Sequence, residues 1–437
     1  ERADLRRQFA LKKQSTISLN LNVPGFPKSN DITNRFFRIC VDELSIFLKA
    51  NLIEVSYDQS REMINGAGDF FIAPIPPQKY QVPEIKQLCE GFEEQQLLGR
   101  FIDVDVHDEN GEPVTSGKSK LCFYCRQKPA IECRRENAHD ILVLRDFMFS
   151  EMDNYCRKDR KDKVVRKVSA LAMKAVLYEI SLTPKPGLVD KMSSGSHSDM
   201  NYSIFLESSA SLFPWFATLV QEGFSFGERD PGKVLPVIRY TGLQMEKEMF
   251  RHTRGVNTQK GLIFLMGLSL FTCGILFEKF DAFDSGYFRE TIRKICKNIT
   301  KELEINQPDK THGKQVYDKY LISGIRGEVM EGLPTVFDRG LPELIKYNAI
   351  SDEALLSAFL AIASENSDTN ILYRSNIQVL NTFKMLARKA YDSHSSEDLN
   401  KLIAYCRDEN ISPGGSADLL VMSNFIFEMI HSGKITG

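Results

Sequence analysis

Arg157-Lys158-Asp159-Arg160-Lys161-Asp162-Lys163 is the stretch on which the fold turns. Before it, apolar and polar residues alternate in short runs; after it that period of two disappears and apolar residues recur at helical spacing. The charged run therefore reads as a boundary, with an α+β domain over 1–156 and an all-helical domain over 164–437.

Upstream, Thr16-Ile17-Ser18-Leu19-Asn20-Leu21-Asn22-Val23 alternates as a half-buried strand does, and Pro24-Gly25-Phe26-Pro27 ends it. Asp31 can cap a helix running to about Asn51. Strand candidates follow at Leu52–Tyr57 and Asp69–Ile75, then a helix over Val82–Leu98 and a strand at Phe101–His107 before the Asn110-Gly111 turn. Downstream, helices are expected at Val164–Leu182, Ser203–Gln221, Pro236–Phe250, Gly261–Phe280, Phe288–Glu304, Asp352–Ser364, Asn376–Tyr391 and Ser416–Ile430.

Among the 437 residues, 56 Lys and Arg against 58 Asp and Glu give a formal net charge of -2, which argues against recognition of nucleic acid or acidic membrane by bulk charge. Any anionic ligand must be met locally. Hydrophobic residues at 42% and charged residues at 26% indicate a packed core. The longest apolar run, Leu262–Phe277, is shorter than the roughly 20 residues that cross a bilayer and is expected to be a buried helix. Glu1–Lys13 is charged and has no leader-like apolar stretch, and nine cysteines spread over the chain do not form a secreted disulfide pattern. A cytoplasmic setting with reduced thiols, or a metal site, is expected.

Polar loops between the apolar helices carry the titratable groups. They are Thr183-Pro184-Lys185-Pro186-Gly187-Leu188-Val189-Asp190, Gly195-Ser196-His197-Ser198-Asp199-Met200, Arg254-Gly255-Val256-Asn257-Thr258-Gln259-Lys260-Gly261 and Thr311-His312-Gly313. Further on come Gly324-Ile325-Arg326-Gly327-Glu328, Asp368-Thr369-Asn370 with Arg374, and Ser412-Pro413-Gly414-Gly415-Ser416-Ala417-Asp418. One such loop is an ordinary helix stop; their recurrence predicts a single convergent pocket.

In this order the loops resemble the triphosphoribosyl-dephospho-coenzyme A synthase family over Val164–Gly437. The resemblance implies that the 2'-hydroxyl of dephospho-coenzyme A attacks the anomeric carbon of ATP ribose, so that adenine leaves and an α-linked triphosphoribosyl group remains. The residue types suit an oxocarbenium-like transition state beside a triphosphate. Asp199, Asp368 and Glu328 are the candidates for base or Mg²⁺ ligand, Asp199 and Asp368 for the metal, with His197 or His312 carrying protons. Lys185, Arg254, Lys260, Arg326 and Arg374 are the expected cations for phosphate, and Asp190, Asn257, Asn370, Ser416 and Asp418 complete the nucleotide-binding set. Two positions depart from the family pattern: Gln259 replaces a His before Lys-Gly, and Ser375-Asn376 replace two glycines.

In the first domain, Asp103 and Asp105 share one face of a strand and form an Asp-x-Asp pair of the kind that holds Mg²⁺; an ordinary solvated strand face is the other reading. Cys122-x2-Cys125-x7-Cys133-x5-His139 offers ligand types and a spacing compatible with tetrahedral, structural Zn²⁺; reduced thiols packed under a loop, with His139 at the surface, are the alternative. With Leu98-Gly99-Arg100 and Pro24-Gly25-Phe26-Pro27-Lys28, these residues resemble the apo-citrate lyase phosphoribosyl-dephospho-coenzyme A transferase family over Glu1 to Cys156. A nucleotidyltransferase-like mixed sheet and transfer to a serine of the citrate lyase acyl carrier (gamma) subunit, with loss of pyrophosphate, are implied. Arg100 would contact the nucleotide. Gly66-Ala67-Gly68-Asp69 and Thr115-Ser116-Gly117-Lys118 depart from that family, Lys118 or Lys120 standing in for a missing arginine. His107 is expected to be exposed.

The expected protein is a bifunctional cytoplasmic enzyme using ATP, dephospho-coenzyme A and Mg²⁺, with neither nucleic acid nor membrane as partner. The rivals are the same chemistry serving malonate decarboxylase, and a binding or regulatory protein with a decayed site.

Overall fold

The computed structural model describes residues 1–115, 117, 120–227, 230–305 and 311–433. Contacts divide the chain into two units, Glu1–Arg160 and Lys161 onward. Lys118 lies outside the described residues.

The first unit comprises α1 (Arg2–Leu11), β1 (Ser15–Leu21), α2 (Asp31–Ala50), β2 (Arg61–Met63), β3 (Phe70–Ile75), α3 (Val82–Gln95), β4 (Ile102–His107), β5 (Pro113–Val114), α4 (Ala130–Arg135) and the start of α5 (Ile141–Ser181). The sheet order is β2-β3-β1-β4-β5. Every pairing is antiparallel, so the expected mixed sheet is corrected: β3 and β4 run parallel to one another, but β1 lies between them and opposes both. One face of the sheet packs Ile17, Leu19, Val104 and Val106 against Phe36 and Phe37 of α2, Ile85 of α3 and Met148 of α5. The other face is not solvated as the alternation in β1 suggested. The charged N-terminal segment folds into α1, whose Phe9 packs on Phe70 and Ile72 while the Arg2 and Arg6 guanidinium groups lie over the Phe70 ring. Ser18 and His107 are buried as a result, the latter against expectation.

No strand forms over 52–57. Leu52 adopts a left-handed φ of 58°, and the Ile53 N–H closes back on Leu48 O at 2.9 Å, so the end of α2 consumes the hydrogen bonds a strand would need.

The second unit is helical: the remainder of α5, then α6 (Tyr202–Phe226), α7 (Val234–His252), α8 (Lys260–Lys279), α9 (Ser285–Cys296), α10 (His312–Tyr320), α11 (Ile325–Met330), α12 (Leu341–Tyr347), α13 (Asp352–Ala363), α14 (Thr369–Arg374), α15 (Ile377–Ser393), α16 (Ser396–Asp408) and α17 (Gly414–His431). The charged run 157–163 lies inside α5, which continues through it. α6 and α8 are the two described helices long and apolar enough to cross a membrane; the apolar window of α8 is 78% buried inside the protein, that of α6 33%. Gly274 explains the small residues in the apolar run, because a Cβ there would sit 2.2 Å from Val220 O of α6. Leu265, Phe271, Phe359 and Phe425 lie in the one large core that α8, α13 and α17 share.

Candidate active sites

In the second unit the loops enclose a cavity of about 350 Å³. Five helices begin at its wall: Lys260 and Gly261 open α8, His312 α10, Ile325 α11, Thr369 and Asn370 α14, and Gly414 and Gly415 α17. Each helix start carries the positive end of its dipole, which favours an anion in the cavity, although side chains such as Asp368 and Asn257 already take several of the first-turn N–H groups. The polar loops announced the convergence in the sequence; that so many of them lead into helix starts did not stand out there.

Lys185, His197, Asp199, Asn257, Lys260, His312, Glu328, Asn370, Arg374 and Asp418 all line the cavity. Asp368 and Ser416 stand behind the wall. Asp368 Oδ1 accepts the Asn370 and Ile371 N–H groups at 2.9 and 3.4 Å, and Oδ2 accepts Ser416 N–H and Oγ–H at 2.8 and 3.0 Å, tying the start of α14 to the start of α17. Asp190 is buried and folds its own loop, accepting from the backbone of Lys185, Met192 and Ser193. Arg326 is set toward Glu302, 4.0 Å away, and Arg254 is exposed; neither lines the cavity.

His197 is held from both sides. Its Nδ1 faces Arg374 Nη2 at 3.2 Å and its Nε2 faces Ser412 Oγ at 2.8 Å, so the guanidinium partner assigns the proton to Nε2, which donates to the serine. Burial and the Arg374 charge pull its pKa down to about 4, leaving the ring neutral at pH 7. Its geometry suits a positioning role. His312 stacks on Tyr373 with centroids 3.6 Å apart, and burial, Arg374 and Lys260 also lower its pKa. Glu328 accepts from Thr335 N–H and Oγ–H, while burial raises its pKa.

Glu179, which the sequence reading missed, lies in the cavity wall with its Oε1 2.7 Å from Lys185 Nζ. It stands in the apolar run Ala175-Val176-Leu177-Tyr178-Glu179-Ile180, and an acid among core residues was the available signal. Asp418 meets no hydrogen-bond or ion-pair partner among the described residues; burial, then Glu179 and Asp368, push its pKa well above the carboxylate range. Glu179, Asp418 and Asp368 lie near one another; with Glu179 spent on Lys185 and Asp368 on the starts of α14 and α17, Asp418 is the carboxylate left to meet a cation. Gly261 is dictated by this group: a Cβ there would lie 2.2 Å from Asp418 Oδ2.

The two departures from pattern are accommodated. Buried Gln259 accepts from Ser208 Oγ at 2.6 Å and donates Nε2 to Ser209 Oγ at 3.3 Å, replacing a titratable ring by a satisfied amide. Ser375 closes α14 on Ile371 O, and Asn376 caps α15; neither lines the cavity.

In the first unit, Asp103 and Asp105 lie half-buried on one face of β4. Lys120 Nζ binds Asp103 Oδ1 at 3.0 Å and Glu93 Oε2 at 2.5 Å, and Arg6 approaches Asp105 Oδ2 at 3.8 Å. With lysine and arginine already there, the pair does not fit a bare Mg²⁺ site. Arg100 donates Nε–H and Nη2–H to Leu121 O at 3.1 and 2.8 Å. Cys122, Cys125, Cys133 and His139 bring one ligand atom each to within 4.8 Å of one another.

Comparison with known proteins agrees with both halves. Residues 165–436 match the family described as ATP:dephospho-CoA triphosphoribosyl transferase, and residues 1–155 match apo-citrate lyase phosphoribosyl-dephospho-CoA transferase. Relatives named Protein CitXG, from Leuconostoc mesenteroides subsp. cremoris and Haemophilus influenzae, are 29% and 30% identical, covering 95% and 97% of this chain and 91% and 93% of their own. A probable 2-(5''-triphosphoribosyl)-3'-dephosphocoenzyme-A synthase of Streptococcus equi subsp. zooepidemicus is 34% identical over 60% of this chain and 96% of its own. With a helical unit matched almost end to end and relatives sharing its two-part layout, the chain belongs to the ATP:dephospho-CoA triphosphoribosyl transferase family, joined here to an apo-citrate lyase phosphoribosyl-dephospho-CoA transferase module.

Proposed function

We propose that the cavity of the second unit binds the triphosphate of ATP on the converging helix starts with Lys185, Lys260 and Arg374, and that this single convergence carries the synthase reaction. The 2'-hydroxyl oxygen of dephospho-coenzyme A forms a bond to the anomeric carbon as the bond from that carbon to adenine breaks. Glu328, with its raised pKa, takes the hydroxyl proton, and the departing adenine takes one in turn. The His312–Tyr373 stack offers a flat apolar surface for the purine. Asp418, backed by Glu179, would hold Mg²⁺, which when bound supplies charge neutralisation for the triphosphate. Arg374 and Ser412 fix the His197 ring, and Asp199 stands 3.7 Å from it at the exposed side of the cavity.

The transferase step belongs to residues 1–156 and the synthase step to residues 164–437 in this reading. Asp103, Asp105, Lys120 and Arg100 of the first unit receive the triphosphoribosyl intermediate, and a serine of the citrate lyase acyl carrier displaces pyrophosphate. No disulfide joins the nine cysteines among the described residues, which suits a cytoplasmic location. The test is a one-pot reaction with ATP, dephospho-coenzyme A, Mg²⁺ and either apo-acyl carrier of citrate lyase or that of malonate decarboxylase, read by intact mass. Modification of the citrate lyase carrier is expected. Modification of the malonate decarboxylase carrier alone reassigns the partner, and modification of neither removes the transferase reading.

A further inference from the structure

The segment from Leu121 to His139 buries little apolar surface of its own. Leu121, Tyr124 and Ile131 are 52%, 40% and 55% exposed; the aromatic anchors are Phe123, its ring 5.3 Å from Phe101 and 6.4 Å from Phe147, and the edge of Tyr124 against Phe147, and the most buried side chains are Cys122 and Cys133 themselves. Its backbone is nevertheless tightly defined. A bridge pairs Leu121 with Pro129, Cys122 N–H bonds Lys128 O at 2.8 Å, and Arg126 N–H bonds Cys122 O at 3.0 Å. Arg126 takes a left-handed φ of 56° to close the turn. The Gln127 and Lys128 N–H groups are directed at Cys125 Sγ. Helix α4 then returns Cys133, and the Ala138 N–H bonds Cys133 O at 3.0 Å, leading into His139. A short turn whose N–H groups support a thiolate, followed by a helix that returns further ligands, is what a metal needs and what an apolar core does not.

Distances agree. Cys125 Sγ and Cys133 Sγ are 3.6 Å apart. Two sulfurs on a tetrahedral zinc with Zn–S bonds of about 2.3 Å are separated by about 3.8 Å, whereas a disulfide would hold them near 2.0 Å. The His139 Nε2 is buried and makes no conventional hydrogen bond among the described residues, while the ring reaches the Cys125 thiol.

This loop also sets the carboxylate face of β4. Leu121 O holds the Arg100 guanidinium, and Lys120, whose backbone O accepts from Ala130 N–H at 2.9 Å, reaches Asp103 and Glu93. We infer that Cys122, Cys125, Cys133 and His139 bind one structural Zn²⁺, and that this ion holds Lys120 and Arg100 in register with Asp103 and Asp105. The second clause rests on the proposed transferase reading; the first does not. Binding releases the thiol protons of the cysteines to solvent and leaves no open coordination position.

The test uses the full chain. Purified protein, dialysed against a weak chelator, is assayed for zinc, and the metal is then exchanged for Co²⁺. One zinc per chain and a sulfur-to-cobalt charge-transfer band are expected, both lost in Cys133→Ser and weakened in His139→Ala. Absence of zinc and of the cobalt band in the wild type overturns the site, as does a Cys125–Cys133 disulfide found by mass spectrometry in reduced-handled protein. Stripping the zinc is expected to lower carrier modification about 10²-fold, the cost of an ångström-scale misplacement, while adenine release stays within the error of the assay. Bound zinc with carrier modification unchanged by its removal overturns the positioning role alone. Bound zinc in an enzyme that modifies no carrier even when metal-loaded instead rejects the transferase reading.

Discussion

Replacing Lys185 by methionine tests the cavity wall most sharply. Lys185 and Glu179 are paired at 2.7 Å with side chains only 3% and 9% exposed, and Asp418 and Asp368 lie close by. Methionine keeps the aliphatic stem and removes the charge, leaving the buried Glu179 without its counter-charge. Breaking a buried pair from one side costs about 3–5 kcal/mol. With a urea slope of about 3 kcal/mol/M for a unit of this size, the midpoint falls by roughly 1–2 M. The chain's single tryptophan, Trp215, packs against the core of the second unit, so its fluorescence follows that unit. Glu179→Gln combined with Lys185→Met removes both charges and is expected to recover most of the loss. A single variant within about 0.3 M of the wild-type midpoint, or a double variant no more stable than the single, would refute the reasoning.

Asp418→Asn is expected to abolish adenine release yet stabilise the fold at neutral pH. Because the folded pKa of Asp418 lies above its unfolded value, the wild type loses stability as pH rises from about 4 toward that raised pKa, and asparagine removes the loss. Urea midpoints at acidic and neutral pH read the difference. His197 gives the opposite slope: with a folded pKa of about 4 against an ordinary 6.5, its contribution is complete above 6.5 and is lost as pH falls toward 4. His197→Gln should flatten that decline by at most about 1.4 kcal/mol per pH unit. Gly261→Ala places a methyl group 2.2 Å from Asp418 Oδ2 and should cost about 1–3 kcal/mol together with adenine release. Gly242→Ala in α7, with its nearest neighbour 3.8 Å away, should instead be neutral or stabilising.

The long elements were legible because periodicity reports burial. α8, α13 and β4 fall within a residue of where the pattern put them, since each has a complete apolar face or run. What the pattern could not report was structure fixed by distant partners. α1 reads as a charged segment, and packing of Phe9 on Phe70 and Ile72 with stacking of Arg2 and Arg6 on Phe70 makes it a cover for the sheet, burying Ser18 and His107. The short helices α11 and α14 carry too few residues to show a period, although Asp368 marks the start of α14 as a cap.

The same division holds at the site. Polar loops pointed to one cavity, but residue type alone could not separate Asp368, consumed by four hydrogen bonds, from Asp418, which has none among the described residues. Nor could it direct Arg326 toward Glu302 or enlist Glu179 from within an apolar run. Gln259 looked like a loss because a histidine was expected; Ser208 and Ser209 supply the amide with partners that sequence separation hid.

The most direct measurement is the stoichiometry of adenine release when the purified chain is given ATP, dephospho-coenzyme A and Mg²⁺, with product mass followed in parallel. One adenine liberated for each triphosphoribosyl-dephospho-coenzyme A formed, dependent on both nucleotides, is the predicted result. ATP consumed to ADP or AMP with adenine still attached, or no turnover by a protein that binds both nucleotides, would contradict the assignment of the helical cavity.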